Sequence, residues 1–257
     1  MTTTVRTTPT TQVPTQRVPM SSARKTALVA GVLYLLTFVS IPTLFLYTAV
    51  KSPNFITGAG PDTAAIVGGI LEMIVALAGI GTAVALFPVL KRQNEGVALG
   101  FVGARTLEAA TIFVGVACLL SVVTLRQAGA GADALVTGHA LVAIYDRMFL
   151  IGQSFIPAVN ALLLGSLLYQ SRLVPRGLPL LAFIGAALLV AGDIAVLFGL
   201  IGQHAPSTAL AAVPIALWEF SLGVWLVVKG FKPSPILDSD ARDAGVNRSL
   251  APAAAAR

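Results

Sequence analysis

Five carboxylates and two arginines fall inside runs apolar enough to cross a bilayer: Glu72, Glu108, Asp146, Asp193 and Glu219, with Arg105 and Arg147. An ionisable side chain at a bilayer centre costs about 2.5–3.5 kcal/mol on insertion scales, so each is expected to face a bundle interior or a wet cavity and to find a partner. Giving each arginine one carboxylate leaves three acids over, to be neutralised by protonation, by hydrogen bonds or by a bound cation. That surplus is the chemistry the sequence offers, the holding or passing of protons or cations. The plainer reading of any one acid is a neutral, hydrogen-bonded group that ties helices together.

The densest stretch is 139–169, HALVAIYDRMFLIGQSFIPAVNALLLGSLLY. His139, Asp146, Gln153 and Asn160 recur every seven residues, a slowly drifting line on one helical face. Pro157 falls near that face and frees the carbonyl of Gln153, an acceptor where a cation, proton or water could bind. Arg147 is turned about 100° from Asp146, so the two neighbours are expected to engage different partners. The alternative is a packing stripe that hydrogen-bonds adjacent helices and holds no ligand.

The other acids sit on faces that suit burial. Glu72 shares its face with Gly68, Gly69, Ala76, Gly79 and Ala83, and Glu219 with Ala212, Ala216 and Gly223, small residues that let membrane helices approach. Counted from helix ends at 1.5 Å per residue, Glu72, Asp146 and Asp193 lie about 10–13 Å deep and Glu219 slightly deeper, so one layer of carboxylates is expected. Arg105 and Glu108 are three apart and can pair locally, nearer the other end.

Several chemistries are not supported. Gly152-Gln153-Ser154 resembles the serine neighbourhood of intramembrane serine proteases, but Phe155 follows and no histidine occupies a later span. His139 and His204 lack the spacing of a zinc helix, and neither a phosphate loop nor a dinucleotide fingerprint occurs. Cys118, the single cysteine, lies in an apolar run and reads as a buried bystander. No catalytic, cofactor-binding or metal residue is assigned, and no cofactor is expected. Asn247-Arg248-Ser249 matches a glycosylation triplet but falls in the tail expected on the cytoplasmic side.

These residues need elements to position them, and composition supplies the class. Of 257 residues 56% are hydrophobic and 11% charged, against a charged share near a quarter in soluble domains. With a mean hydropathy of +0.86, the expected fold is all-α, a polytopic membrane helix bundle. Six spans are expected at about 26–47, 64–90, 97–125, 139–169, 178–202 and 208–229, within a transmembrane domain over 23–231. Residues 1–22, rich in Thr and Pro, and 232–257 are expected to be disordered tails. Pro42 is expected to kink or end the first span. Trp225 fits an interface anchor better than Trp218.

The net charge of +6 is spread over short clusters between spans rather than one patch, so no nucleic-acid partner is expected. Arg24, Lys25, Lys91, Arg92, Arg172, Arg176, Lys229 and Lys232 fall on the side of the N-terminus, whereas Lys51 and Arg126 face the other way. Both termini are therefore expected in the cytoplasm of a bacterial plasma membrane. The two basic hairpins, LFPVLKRQNEGVALGFVGA and LLYQSRLVPRGLPLLAFIGA, are faintly alike, which basic turns between apolar helices also explain.

The stretches ARKTALVAGVLYLLTF (23–38), GTAVALFPVLKRQNEGVALGFVGARTLEA (81–109), NALLLGSLLYQSRLVPRGLPLLAFIG (160–185) and PIALWEFSLGVWLVVKGFKPSP (214–235) carry a family likeness. Over 23–235 the chain resembles the bacterial membrane family catalogued as domain of unknown function 4386. The resemblance implies six to seven spans and supplies neither an activity nor functional residues. Three readings stand: a non-catalytic sensor or partner-binding subunit, a small-solute or proton- or cation-coupled carrier, and an intramembrane enzyme acting on lipid. Beyond the lipid bilayer, the partner would be a membrane protein or a second copy, and the ligand, small molecule or ion, is left open.

Overall fold

The computed structural model describes residues 20–58 and 60–237, so the expected tails at 1–19 and 238–257 lie outside the described residues. Eight α-helices follow in order: α1 (Ser22–Leu36), α2 (Thr43–Leu46), α3 (Thr63–Leu90), α4 (Glu95–Gln127), α5 (Leu135–Met148), α6 (Ile156–Ser171), α7 (Gly177–Leu197) and α8 (Pro206–Val228). No strand occurs among the described residues. Six stretches are long and apolar enough to cross a membrane: Ser22–Leu46, Thr63–Leu90, Glu95–Gln127, Ala132–Ser171, Gly177–Leu197 and Pro206–Val228. The chain is an all-helical, multi-pass membrane protein.

Two spans are interrupted where the sequence demands it. The first leaves α1 at Leu36 through a 3₁₀ turn, Thr37–Ser40, before Pro42 starts α2, so the bend begins a turn ahead of the proline. The fourth joins α5 to α6 through a π-helical segment, Phe149–Phe155, directly before Pro157. A proline lacks the N–H that would bind the carbonyl four residues back, here that of Gln153, and a widened turn is one way a helix absorbs the loss.

Each span packs on the next in sequence, and α1 packs on both α3 and α8, so six spans close into a ring. Short connections make the sequential pairs, as expected for antiparallel neighbours. The α1–α8 seam is long-range and rests on glycine: a Cβ on Gly31 would stand 2.8 Å from the carbonyl oxygen of Gly223. Only hydrogen side chains let the two backbones come that close. The same seam is fastened at its end by Arg24, whose guanidinium donates to the carbonyls of Leu226 and Val227, the unpaired last turn of α8. Gly230, at φ +72, turns the chain out of the helix, and Lys232 N then donates to Leu173 O at 2.8 Å.

The packing pattern is inverted relative to a soluble domain. Phe45, Val136, Phe198, Leu200 and Leu210 are exposed, while Glu72, Arg105, Glu108, Asn160 and Asp193 are buried. In lipid there is no penalty for apolar surface outside, and polar groups must find partners inside. The larger core fills the end of the bundle where the described residues begin and end, with Trp218, Tyr34, Phe101 and Leu164 fully buried in it. A second core, around Tyr47, Phe55, Leu119 and Tyr145, fills the opposite end. The polar side chains of interest lie in and between these two cores.

Candidate functional site

The largest constellation is centred on Arg105 of α4, which is 4% exposed. Its Nη1 donates to Glu108 Oε2 at 3.0 Å, one helical turn along, as three-residue spacing allows. Its Nη2 donates to Glu219 Oε1 on α8 at 2.6 Å and to Tyr34 Oη on α1 at 3.2 Å. Asn160 Nδ2 on α6 donates to Glu108 Oε2 at 2.7 Å. Three spans thus meet on one guanidinium, whose planar fork is suited to several partners at once, and Asn160 adds a fourth through Glu108. Gly79 on α3 lies beside the arginine stem, and the rings of Tyr34 and Phe101 flank the cation at 5.3 and 5.8 Å. With both carboxylates ionised the cluster carries one negative charge in excess. Glu219, at 18% side-chain exposure, is its most open member.

A second group forms around Glu72 in α3. Its Oε1 accepts a hydrogen bond from Tyr145 Oη of α5 at 2.8 Å. Tyr47, just past α2, and Gln153 of the π-helical segment come up to the same carboxyl. Glu72 Oε2 and Tyr47 Oη are nevertheless buried without a hydrogen-bond partner. The small-residue face of α3 is what admits the tyrosine: a Cβ on Gly68 would lie 2.4 Å from Tyr47 Cε1.

On the other flank of the π-helical segment, Ser154 Oγ donates to Asp193 Oδ1 of α7 at 2.6 Å, and Asp193 Oδ2 is buried and unpartnered. Thr111 of α4 presses on the same segment at Gly152, where a Cβ would come within 1.9 Å of Thr111 Oγ1. The Ser154–Asp193 pair has no histidine near it to take a proton from the hydroxyl, so it is a hydrogen bond rather than a nucleophile relay.

Asp146 and Arg147 belong elsewhere. The fourth span starts at Ala132 and is longer than the sequence suggests. Asp146 is therefore 25 residues from Ser171, about 38 Å at 1.5 Å per residue, more than a hydrocarbon core of about 30 Å. Its partners come from connections: Lys51 Nζ at 2.8 Å and His204 Nε2 at 3.7 Å from Oδ1, with Gln203 Nε2 donating to its backbone carbonyl at 2.7 Å. Arg147 is exposed and donates to Gln203 Oε1 at 3.0 Å. His139 is also at this rim, Nε2 meeting the Pro53 carbonyl at 2.9 Å. Nearby, Arg126 pairs with Asp62 at 3.3 Å and bonds the Gly60 carbonyl.

The expected single layer of Glu72, Asp146, Asp193 and Glu219 is thus corrected to four separate sites. Glu219 joins Arg105 and Glu108 on the side of the larger core, Asp146 sits at the opposite rim, and Glu72 and Asp193 flank the π-helical segment. The seven-residue stripe does run down one helix, but each member meets a different neighbour: Pro53, Lys51, the Glu72 carboxyl and Glu108. The local Arg105–Glu108 pair stands, enlarged by three partners the residue count did not assign. Tyr34, Tyr47, Tyr145, Lys51, Ser154 and Gln203 are additions. The tyrosines carried a readable signal, since a phenol inside an apolar span needs a hydrogen-bond partner. Lys51 read as a topology marker and gave none. Trp218 is fully buried in the larger core, as its poor fit to an interface suggested.

Neither a small cavity beside His139 nor an apolar groove of about 370 Å³ between α7 and α8 is lined by any of these carboxylates. Among the described residues no group of three or more His, Cys, Asp or Glu is placed to hold a metal ion.

A family model described as a domain of unknown function (DUF4386) matches residues 29–230, and the chain belongs to that family. No curated protein and no solved structure matches it.

Proposed function

We propose that this member of the family of unknown function is a non-catalytic membrane subunit, a sensor or partner-binding protein, in a bacterial plasma membrane with both termini in the cytoplasm. The observation that carries the reading is the Arg105 network. A guanidinium held by Glu108, Glu219 and Tyr34, with Asn160 on Glu108, fixes four helices against one another. A carrier must let such elements part and re-form. The other acids also have hydrogen-bond or ion-pair partners: Glu72 has Tyr145, Asp193 has Ser154, and Asp146 has Lys51 with His204 beside it. Arg147, exposed at the rim, forms no ion pair among the described residues and is available to an acidic group of another chain.

The test has two arms. Purified protein in proteoliposomes is assayed for uptake driven by a pH gradient or a membrane potential across a panel of solutes and cations, with no flux expected. A photo-crosslinker at Arg147 in native membranes is expected to give one discrete protein adduct. Saturable flux that Asp193→Asn abolishes would instead establish a carrier. That second reading is favoured by one feature, the π-helical segment with Pro157 between two half-satisfied carboxyls.

A further inference from the structure

We propose that the groove between α7 and α8 is a binding site for an anionic phospholipid, with one acyl chain lying in the groove and the phosphate at its mouth. The two helices touch closely at Gly185, where a Cβ would lie 2.8 Å from the backbone nitrogen of Ile215. Nearer the end that carries Arg176 and Lys229 they part, leaving about 370 Å³ open between Leu178 on α7 and Phe220, Val224, Trp225 and Val228 on α8. Ser221 and Lys229 are the polar members of the wall. Lys229 directly follows α8 and so stands at the mouth.

Length and charge select the occupant. From Phe220 to Lys229 the wall of α8 rises about 14 Å, close to half of a hydrocarbon core of about 30 Å, which is the reach of one leaflet's acyl chain. Spread over that length, about 370 Å³ is too narrow for a helix about 10 Å across. The mouth is cationic. Lys229 is exposed, and its side chain has no hydrogen-bond or ion-pair partner among the described residues. Arg176, two positions before Leu178, is exposed as well and rests on the Tyr169 ring at 5.1 Å. The one acid at this end among the described residues is Glu95, which begins α4 and does not line the groove. A lipid phosphate at the mouth therefore meets two cations, and a headgroup without a positive charge of its own is preferred there. Trp225 stands in the wall near the mouth, where an indole suits the boundary between chains and headgroups. The site requires only that the chain crosses a bilayer, so it goes beyond the subunit reading and does not depend on it.

Tryptophan fluorescence tests the site, because Trp225 lines the groove while Trp218, the other tryptophan, is fully buried in the larger core. The full chain is reconstituted in phosphatidylcholine vesicles, into which phosphatidylglycerol or phosphatidylcholine with brominated, quenching acyl chains is titrated. Brominated phosphatidylglycerol is expected to quench saturably, reaching half its effect at a mole fraction at least about fivefold lower than brominated phosphatidylcholine needs. Lys229→Gln is expected to remove most of that preference. Val224→Phe fills the groove without changing a charge and is expected to make the two lipids quench alike. Both substitutions fall at exposed positions, so neither disturbs the core. Equal quenching by the two lipids in the wild type, as when the chain's own C-terminal segment or a second protein fills the groove, overturns the site. A preference that Lys229→Gln leaves unchanged also overturns it. So does one that survives Val224→Phe, which would mean a basic surface gathering lipid without a seat for its chain.

Discussion

Arg105 and Glu219, 114 positions apart, meet at 2.6 Å across the seam that closes the helix ring. Removing the cation leaves two carboxylates buried against each other. Arg105→Met is therefore expected to lower stability by about 3–5 kcal/mol, the range for breaking a buried ion pair from one side. Adding Glu108→Gln and Glu219→Gln to that variant should restore most of the loss. Thermal unfolding in detergent reads both, and a triple variant no better than Arg105→Met would refute the charge-balance account.

Asn160 donates to the same Glu108 oxygen that Arg105 uses. Asn160→Leu should cost about 1–3 kcal/mol by leaving that oxygen under-bonded. In a double-mutant cycle with Glu108→Gln the two losses are expected to fall short of additivity, because the partners share one network.

Glycine at the close approaches is tested by adding one carbon. Gly31→Ala sets a Cβ 2.8 Å from Gly223 O, and overpacking of this kind costs about 1–3 kcal/mol. Gly103→Ala, on the same scale of change but with nothing within 4 Å, should leave Tm unchanged or slightly raised. Equal effects at both positions would remove the seam from the explanation.

Asp146 makes the opposite forecast. Its pair with Lys51 is partly exposed, at 24% and 23% side-chain accessibility, so Asp146→Asn is expected to change stability by less than about 1 kcal/mol and to matter less at high salt. A loss as large as that of Arg105→Met would return Asp146 to the membrane interior.

Orientation is read by labelling. In a Cys118→Ser background, Gln93→Cys, in the turn between α3 and α4, should react with a membrane-impermeant thiol reagent only after the cytoplasmic face is opened. Labelling of intact cells would reverse the assignment of both termini.

Much of this was legible in residue order. The number of spans, the small-residue face that buries Glu72 and the Arg105–Glu108 spacing follow from hydropathy and helical period, which are local. Depth was not. Counting residues from assumed helix ends takes each end as known and each span as regular and straight. The fourth span begins at Ala132 and carries a π-helical segment, so Asp146 rises to the rim and its partners come from connections. Glu219 was misassigned for a different reason. Its partner depends on α8 returning to α1 and α4, a ring closure that no local pattern encodes.

That closure also sets a timetable for synthesis. Arg105 enters the membrane with the third span, accompanied by Glu108, while the carboxylate of Glu219 arrives with the sixth, more than a hundred residues later. At about 5–20 residues per second, several seconds or more pass with the cluster incomplete and the α1 face of the seam uncovered. A nascent chain stalled between the fifth and sixth spans is thus a natural target for membrane quality control, and release from it coincides with the docking of Glu219.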